Sequence, residues 1–290
     1  MERGIPAAIA EGESSPIRSA IFYLKMDFHI ENITSVTYII NVTEPRGVTM
    51  MNQNSKPQIT EIINAMQSPT KWNAYRVTQA NKIAGKIEKT KSEQFAEYVD
   101  GVFILVCAEL NIFDMARDWA KKSALEKLAV AGNIIKRFVE RVQSDTQTGR
   151  AQKYNDKVVE STPKISVSHS NNGQMSVSQR GTVNVNPNFR YYDNLINFLM
   201  DLRHESTHIV DMFFPSISPL DMDIRDLSMA FYIKPNEDMN LYKQNPLELN
   251  ANMRRREFGN KLQEKIAGCE YARVQRLVGN AVARGISRGH

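Results

Sequence analysis

The chain has 290 residues, of which 42% are hydrophobic and 24% are charged. This length and composition are typical of a globular protein with a substantial core, built as one large domain or two ordinary ones. The two cysteines, Cys107 and Cys269, lie far apart in the sequence and form no CxxC pair. The composition therefore argues against a disulfide framework and a cysteine zinc site, and it favours a reducing compartment.

Neither a transmembrane segment nor a secretory signal peptide is predicted. The sequence contains no run of the ~20 apolar residues that a membrane span requires. The apolar patch from Ile5 to Ala10 is short and is followed by Glu11 and Glu13, which does not fit a Sec signal peptide. We therefore expect a cytoplasmic protein, or one secreted by another route, such as an injected bacterial effector or toxin.

The net charge of +5 is concentrated near the C-terminus. Between Asn250 and His290 there are nine lysines and arginines against three acidic residues, an excess of +6, so the rest of the chain is close to neutral. Such a region is typical of a solvated helix face, but also of a surface for nucleic acid, an anionic membrane or an acidic partner. The basic residues are not interleaved with aromatic ones. We therefore favour the solvated face over nucleic-acid binding.

The N-terminal part predicts a flexible tail followed by a β-hairpin. Residues 1–19 carry Ser, Gly and Pro and show no hydrophobic pattern. From Ile21 to Val42 the chain is rich in β-branched and aromatic residues, with an interruption near Glu31. Two strands joined by a turn are the arrangement that this pattern favours.

The next segment predicts helices. From about Pro57 to Val142 apolar residues recur at spacings of three and four, which indicates three or four amphipathic helices. Residues 144–154 are polar and contain a glycine, as is typical of a linker. We therefore predict a mainly helical N-terminal region over residues 20–148, which includes the hairpin.

After Thr162 the residue pattern changes from helical spacing to that of short strands. Residues 164–169 and 175–179 alternate with period two around Asn171-Asn172-Gly173, which predicts a β-hairpin. Residues 182–185 add a third short strand. A small antiparallel sheet is therefore expected directly before the next helix.

That helix is predicted from about Tyr191 to Phe214, where Pro215 ends it. It carries the sequence His204-Glu205-Ser206-Thr207-His208. Two histidines four residues apart lie on one helix face, where they can share a zinc ion while the glutamate between them handles a proton.

The helical pattern places this motif opposite the core. At about 100° per residue, an apolar stripe runs along one side of the helix; its members are Leu195, Leu199, Leu202, Ile209 and Phe213. His204 and His208 fall on the other side together with Asp211 and Asn197, and Glu205 lies beside the histidine line. Such a separation is what a metal site at the floor of a cleft requires.

A second motif follows at Asn245-Pro246-Leu247-Glu248-Leu249-Asn250-Ala251. With the His-Glu motif, it resembles the gluzincin class of zinc peptidases, in which a helical HExxH precedes a glutamate ligand on a later helix, often in an Asn-Pro-x-Glu-x-(Asp/Glu)-Ala setting. The resemblance covers roughly residues 204–251. Asn250 departs from the pattern, because an acidic residue is common there; Asp211 is a candidate to replace it beside a ligand histidine.

The resemblance implies an α+β fold with a zincin-like C-terminal domain over residues 155–290, made of a short antiparallel sheet and an active-site helix. It implies Zn²⁺ as the cofactor, with His204, His208 and Glu248 as ligands. It also implies that Glu205 is the general base in the hydrolysis of a protein or peptide substrate.

The third ligand has alternatives. Asn245 as N-cap, Pro246 as first helical residue and Glu248 three positions after the cap form a capping-box pattern, which is a purely local reason for the glutamate. Other carboxylates are available as third ligands: Asp211, Asp221, Asp223, Glu237 and Asp238.

A peptidase also needs a hydrogen-bond donor for the oxyanion of the tetrahedral intermediate. The available residues of a suitable type are Tyr242, Tyr232, Arg203 and Arg254. We favour Tyr242, six residues before Glu248, although an ordinary half-buried tyrosine is an equally good reading of that position.

Two functions of other classes stay open. One is a noncatalytic interaction protein whose helical region binds a partner and whose His-Glu helix is metal-free or holds a structural metal. The other is a nucleic-acid-binding protein that uses the basic C-terminal helices. The substrate and the oligomeric state do not follow from the sequence.

Overall fold

The computed structural model describes residues 21–26, 36–41, 59–148, 164–171 and 173–287. The contacts divide the chain after Pro57 into two compact units. The predicted tail at 1–19 and most of the predicted linker lie outside the described residues. The first residues of that linker are helical, because the preceding helix continues to Gln147.

The first unit contains the predicted β-hairpin. Strands β1 (Ile21–Met26) and β2 (Val36–Asn41) pair antiparallel. Ile21 lies opposite Asn41, and Met26 lies opposite Val36. The two-strand prediction from this β-branched segment is confirmed.

The second unit begins with the predicted helices. They are α1 (Ile59–Ala65), α2 (Pro69–Ile83), α3 (Lys89–Glu109), a 3₁₀ helix (Ile112–Lys121) and α4 (Ala124–Gln147). Local sequence fixes where α4 begins. Ser123 Oγ accepts from the Glu126 backbone N–H, and the Glu126 carboxylate accepts from the Ser123 backbone N–H, so a complete capping box is formed.

The small sheet differs from the prediction. Strand β3 (Ser166–His169) pairs parallel with β5 (Thr182–Val185), and β4 (Ser176–Val177) pairs antiparallel with the other edge of β5. The order is β3-β5-β4, so the sheet is mixed, and the predicted hairpin between residues 164–169 and 175–179 is wrong.

Burial explains why β5 takes the central place. Val183 and Val185 are fully buried. In the strand register, Val183 lies between Val167 of β3 and Val177 of β4. The observed tight turn joins β4 to β5 instead. It needs Gly181, whose φ is +81° and where a Cβ would lie 2.9 Å from Lys164 O and Ile165 Cδ1.

Helix α5 (Leu195–Phe213) carries the His-Glu motif and follows a 3₁₀ turn at Arg190–Asp193. The Asn194 side chain caps it by accepting from the backbone N–H groups of Ile196 and Asn197. The helix ends two residues before Pro215. The prediction of a long helix at this position is confirmed within a few residues at each end.

Four helices complete the described chain. They are α6 (Met222–Ala230), α7 (Met239–Gln244), α8 (Pro246–Asn252) and α9 (Arg255–Ser287). The predicted helix opened by Asn245-Pro246 is confirmed as α8. Among the described residues, no helix is long and apolar enough to cross a membrane.

One hydrophobic core joins the helical region to the motif helix. Phe103 of α3 and Phe138 of α4 pack in the same cluster as Phe198 of α5 and Phe258 of α9, and all four are fully buried. The fold of this unit is thus α+β, mainly helical with a small mixed sheet. Helices predicted as a separate N-terminal region share their core with α5.

Candidate metal centre

The two motif histidines converge on one point beside α5. Their Nε2 atoms are 3.1 Å apart, and the rings meet edge to face with centroids 4.7 Å apart. His204 is 8% exposed and His208 is 9% exposed. The polar face of α5 therefore does not face solvent, because other elements cover it.

Glu248 of α8 completes a cluster with the histidines. Its Oε2 atom lies 3.3 Å from His204 Nε2, and its Oε1 atom lies 3.5 Å from His208 Nε2. One ligand atom from each of the three residues lies within 4.8 Å of the others. This is the set that the sequence resemblance implied, brought together from two helices 40 residues apart.

Glu248 does not act as the cap that its spacing also allowed. The Asn245 backbone N–H donates to Tyr242 O at 3.1 Å instead of to the Glu248 carboxylate. The Asn245 side chain alone caps α8, by accepting from the Leu247 backbone N–H at 2.9 Å. The carboxylate of Glu248 is therefore free to point at the histidines.

The contacts and the donor atoms of the cluster suit a metal ion. Glu248 is 2% exposed, and apart from His204 Nε2 at 3.3 Å its Oε2 atom has no polar partner among the described residues. A buried carboxylate oxygen with so few partners is costly, whereas a cation at this point would satisfy it. Two imidazole nitrogens and one carboxylate oxygen are also a donor set that suits Zn²⁺.

Each charged group of the cluster favours the charged form of its neighbour. Burial opposes ionisation of Glu248, but hydrogen bonding and attraction to the two imidazoles hold the pKa of this carboxyl well below its usual range. Burial likewise opposes charge on His208, but Glu248 outweighs it and raises the pKa of His208 to about 9. Without a metal, the site holds an imidazolium–carboxylate pair.

Glu205 stands next to the cluster and is itself buried, with 5% of its surface exposed. Burial raises the pKa of its carboxyl above the usual range, while the charges of His204 and His208 oppose that shift. The raised pKa makes the Glu205 carboxylate a stronger base than an exposed glutamate.

Two tyrosines lie over Glu248. The Tyr232 hydroxyl donates to Glu248 Oε1 at 2.7 Å. The Tyr242 ring is half-buried and meets the Tyr232 ring edge to face at 6.0 Å. Burial and the Glu248 charge raise the pKa of both phenols, which keeps them as protonated donors. The structure thus places both tyrosines beside Glu248, and Tyr232 makes the 2.7 Å hydrogen bond.

Tyr232 was one of the four candidate donors, but nothing in the sequence favours it over Tyr242, since it lies 16 residues before Glu248. Its place depends on packing against α2. Phe231 packs against Trp72 and Tyr75 of that helix, and Arg76 donates to the Tyr232 carbonyl at 3.3 Å. Contacts with α2 therefore hold the segment that carries Tyr232 in place next to the cluster.

The two arginines considered as oxyanion donors make other contacts. Arg203 is fully buried and donates to Asp100 Oδ1 at 2.8 Å and to the carbonyls of Ala251 and Ala96. Arg254 lies 3.6 Å from Glu97. These contacts give both side chains structural partners.

The competing carboxylates are also accounted for. Asp238 caps α7, and Glu237 forms an ion pair with Arg76. Asp221 is the exposed N-cap residue of α6, and Asp223 lies in the first turn of that helix. Within the described ranges, His204, His208 and Glu248 are the one group of His, Cys, Asp and Glu side chains close enough to share a metal ion.

Asp211 is bound to α8. Its carboxylate accepts from the Asn250 amide at 2.9 and 3.0 Å and from the Ser218 hydroxyl at 2.6 Å. Burial raises the pKa of Asp211 to about 6, and the two donors oppose that shift. Asn250, which departs from the acidic residue common in the gluzincin pattern, therefore bonds Asp211, the carboxylate considered as a replacement for that acid.

The chain was compared with protein-family models, with curated proteins and with solved structures. None of the three comparisons found a match. The functional interpretation therefore depends on the geometry of this site.

The basic excess near the C-terminus is partly neutralised within the chain. Arg255 donates to Asp201, and Lys261 lies 3.9 Å from Asp100. Farther along α9, Tyr271, Val274 and Leu277 are each more than half exposed. The exposed part of this helix thus presents apolar as well as basic side chains.

Proposed function

We propose that the protein is a zinc-dependent metallopeptidase of the gluzincin type. The observation that carries this proposal is the buried convergence of His204 Nε2, His208 Nε2 and the Glu248 carboxylate, one oxygen of which has no other partner. A motif helix that follows a short sheet and precedes a glutamate-bearing helix also supports a zincin-like arrangement of this region.

The residues divide the chemistry among them. His204, His208 and Glu248 would hold the zinc ion, which would supply the Lewis acidity for polarising a scissile carbonyl and for lowering the pKa of water to about 7. Glu205 accepts the proton of the attacking water and passes it to the leaving amine. Tyr232 or Tyr242 donates a hydrogen bond to the oxygen that becomes negative. The substrate class is a protein or peptide.

The test combines metal analysis with hydrolysis of a quenched fluorescent peptide library. The protein purified with added zinc is expected to hold one zinc per chain and to cleave peptides. Glu205→Gln should keep the zinc and lose at least about 10²-fold in rate, because general base catalysis contributes about 10²–10⁴-fold. His204→Ala and Glu248→Ala should lose both zinc and activity.

Two matched controls change the same residue types elsewhere. His169→Ala alters an exposed strand histidine, and Glu264→Gln alters an exposed glutamate of α9. Both should keep zinc and full activity. Absence of zinc from the wild-type protein, or equal activity of the wild type and Glu205→Gln, would sink the peptidase proposal.

A second candidate is a structural zinc site in a noncatalytic interaction protein. It is favoured by the burial of Glu205 and of the three proposed ligands, none of which is more than 9% exposed. The same experiment separates the two. Stoichiometric zinc that raises the melting temperature, with no cleavage in the wild type, would select the structural role.

A further inference from the structure

A buried hydrogen-bonded pair ties the two ligand-bearing helices together next to the metal cluster. Asp211 lies three residues after His208 on α5, and Asn250 lies two residues after Glu248 on α8. Both side chains are fully buried. The Asn250 amide nitrogen donates to both oxygens of Asp211, at 2.9 and 3.0 Å.

Asp211 is also held by the segment between α5 and α6. The Ser218 hydroxyl donates to its Oδ1 atom at 2.6 Å and accepts from the Leu220 backbone N–H at 3.2 Å. The carboxylate thus has three short hydrogen bonds and little freedom to rotate. Its position on α5 fixes where the amide of Asn250 can lie.

We propose that Asp211 and Asn250 are positioning residues, which hold Glu248 at binding distance from His204 and His208. This inference rests on the proposed metal centre. Because Asn250 is two residues from Glu248, the backbone of α8 cannot move away from α5 at this point without breaking both bonds to Asp211. Residues that hydrogen-bond to metal ligands typically contribute 10–100-fold to metal affinity; Asp211 and Asn250 act on Glu248 through the backbone of α8, and we expect a loss within that range.

The pair also explains why an amide stands at position 250 in a motif where acids are common. An aspartate there would set two carboxylates against each other in a buried place that also contains Glu205 and Glu248. Like charges at hydrogen-bonding distance without water are strongly unfavourable. The pair needs one acceptor and one donor, and this chain has the acid on α5 and the amide on α8.

This reasoning predicts that the two residues can exchange roles. Asp211→Asn alone sets two amides together, and Asn250→Asp alone sets two acids together. In the double variant Asp211→Asn/Asn250→Asp, one amide again faces one carboxylate, and Oδ1 of the new amide can still accept from Ser218. Coupling between the two substitutions is therefore expected to be large and favourable.

The test measures zinc affinity by competition with a chromophoric chelator, and the melting temperature of the metal-free protein. Each single variant should bind zinc about 10–100-fold more weakly than the wild type. The double variant should regain most of that loss. Asn260→Asp, an exposed asparagine-to-aspartate change on α9, should bind zinc as the wild type does.

Each outcome decides between the proposals. Wild-type protein without zinc would refute the metal centre, and with it the positioning role. If the wild type binds zinc and both single variants bind it with the same affinity, the positioning role alone is refuted. It is also refuted if the loss of affinity in the double variant equals the sum of the two single losses. A lower melting temperature with unchanged affinity would show a merely structural pair. If Asn250→Asp does not fold, Asn250→Ala removes the donor without adding charge and replaces it in the test.

Discussion

The ion pair between Asp100 of α3 and Arg203 of α5 leads to a quantitative prediction. Arg203 Nε donates to Asp100 Oδ1 at 2.8 Å, and each side chain is 1% exposed. In Asp100→Ala the guanidinium keeps its bonds to the carbonyls of Ala96 and Ala251, but it loses its counterion in a place that water does not reach. Removing one partner of a buried ion pair costs about 3–5 kcal/mol.

Thermal unfolding followed by circular dichroism measures this loss. In a protein of this size each kcal/mol corresponds to a shift of about 2–4 °C in the melting temperature, so a decrease of roughly 6–20 °C is expected. Asp118→Ala is the matched control, because Asp118 pairs with Lys121 at the exposed surface; its melting temperature should stay that of the wild type.

A double variant isolates the cause. Asp100→Leu/Arg203→Met replaces both charges by apolar side chains and should recover much of the stability that Asp100→Ala loses, because no unpaired charge remains. An Asp100→Ala protein as stable as the control would refute the reasoning. So would a double variant that is less stable than the single one.

Three further predictions concern the site and the sheet. The pKa of His208 is about 9 in the folded metal-free protein and 6.5 for the free side chain. Protonation of His208 therefore stabilises the fold fully below pH 6.5, and this stabilisation is lost as the pH rises through about 9. Zinc binding at pH 7 should then release about one proton, measured by calorimetry in buffers of different ionisation enthalpy, and the absence of release would contradict the pairing. Tyr232→Phe removes a 2.7 Å hydrogen bond to a carboxylate and should lower the free energy of urea unfolding by about 1–3 kcal/mol; an equal loss in Tyr242→Phe would argue against a special role for Tyr232. Gly181→Ala, at φ +81° with backbone 2.9 Å from the new Cβ, should cost more than about 1 kcal/mol in the same assay. Gly132→Ala, in α4 with open space around it, should instead stabilise by about 0.5–1 kcal/mol, and similar values for the two glycines would contradict the turn geometry.

The parts of the structure that local sequence determines could be predicted. The histidine pair on α5 follows from helical spacing, and α8 follows from its Asn245-Pro246 start. Glu248 was placed by resemblance, but its capping alternative could be rejected only from the structure, where the Asn245 N–H donates to Tyr242 O. A sequence pattern shows which bonds are available to a residue, and tertiary packing selects among them.

The strand order of the sheet and the bond from Tyr232 to Glu248 could not be predicted for the same reason. The Asn-Gly signal at 172–173 favoured a hairpin, but β5 carries the fully buried valines and takes strands on both edges. Tyr232 reaches Glu248 because Phe231 beside it packs on α2, more than 150 residues earlier in the chain. Helical periodicity likewise placed His204 and His208 opposite the core, but it does not report what lies above a polar helix face.

The covered position of the cluster has a kinetic consequence for metal exchange. Tyr232 lies directly on Glu248, and the segment that carries it is held to α2 by Arg76, which bonds both the Tyr232 carbonyl and Glu237. If the cluster holds zinc as proposed, we expect release of the ion to require local opening of this segment. A chelator such as EDTA should then remove zinc at a rate that becomes independent of its concentration, and Arg76→Ala should raise that limiting rate without changing the ligands.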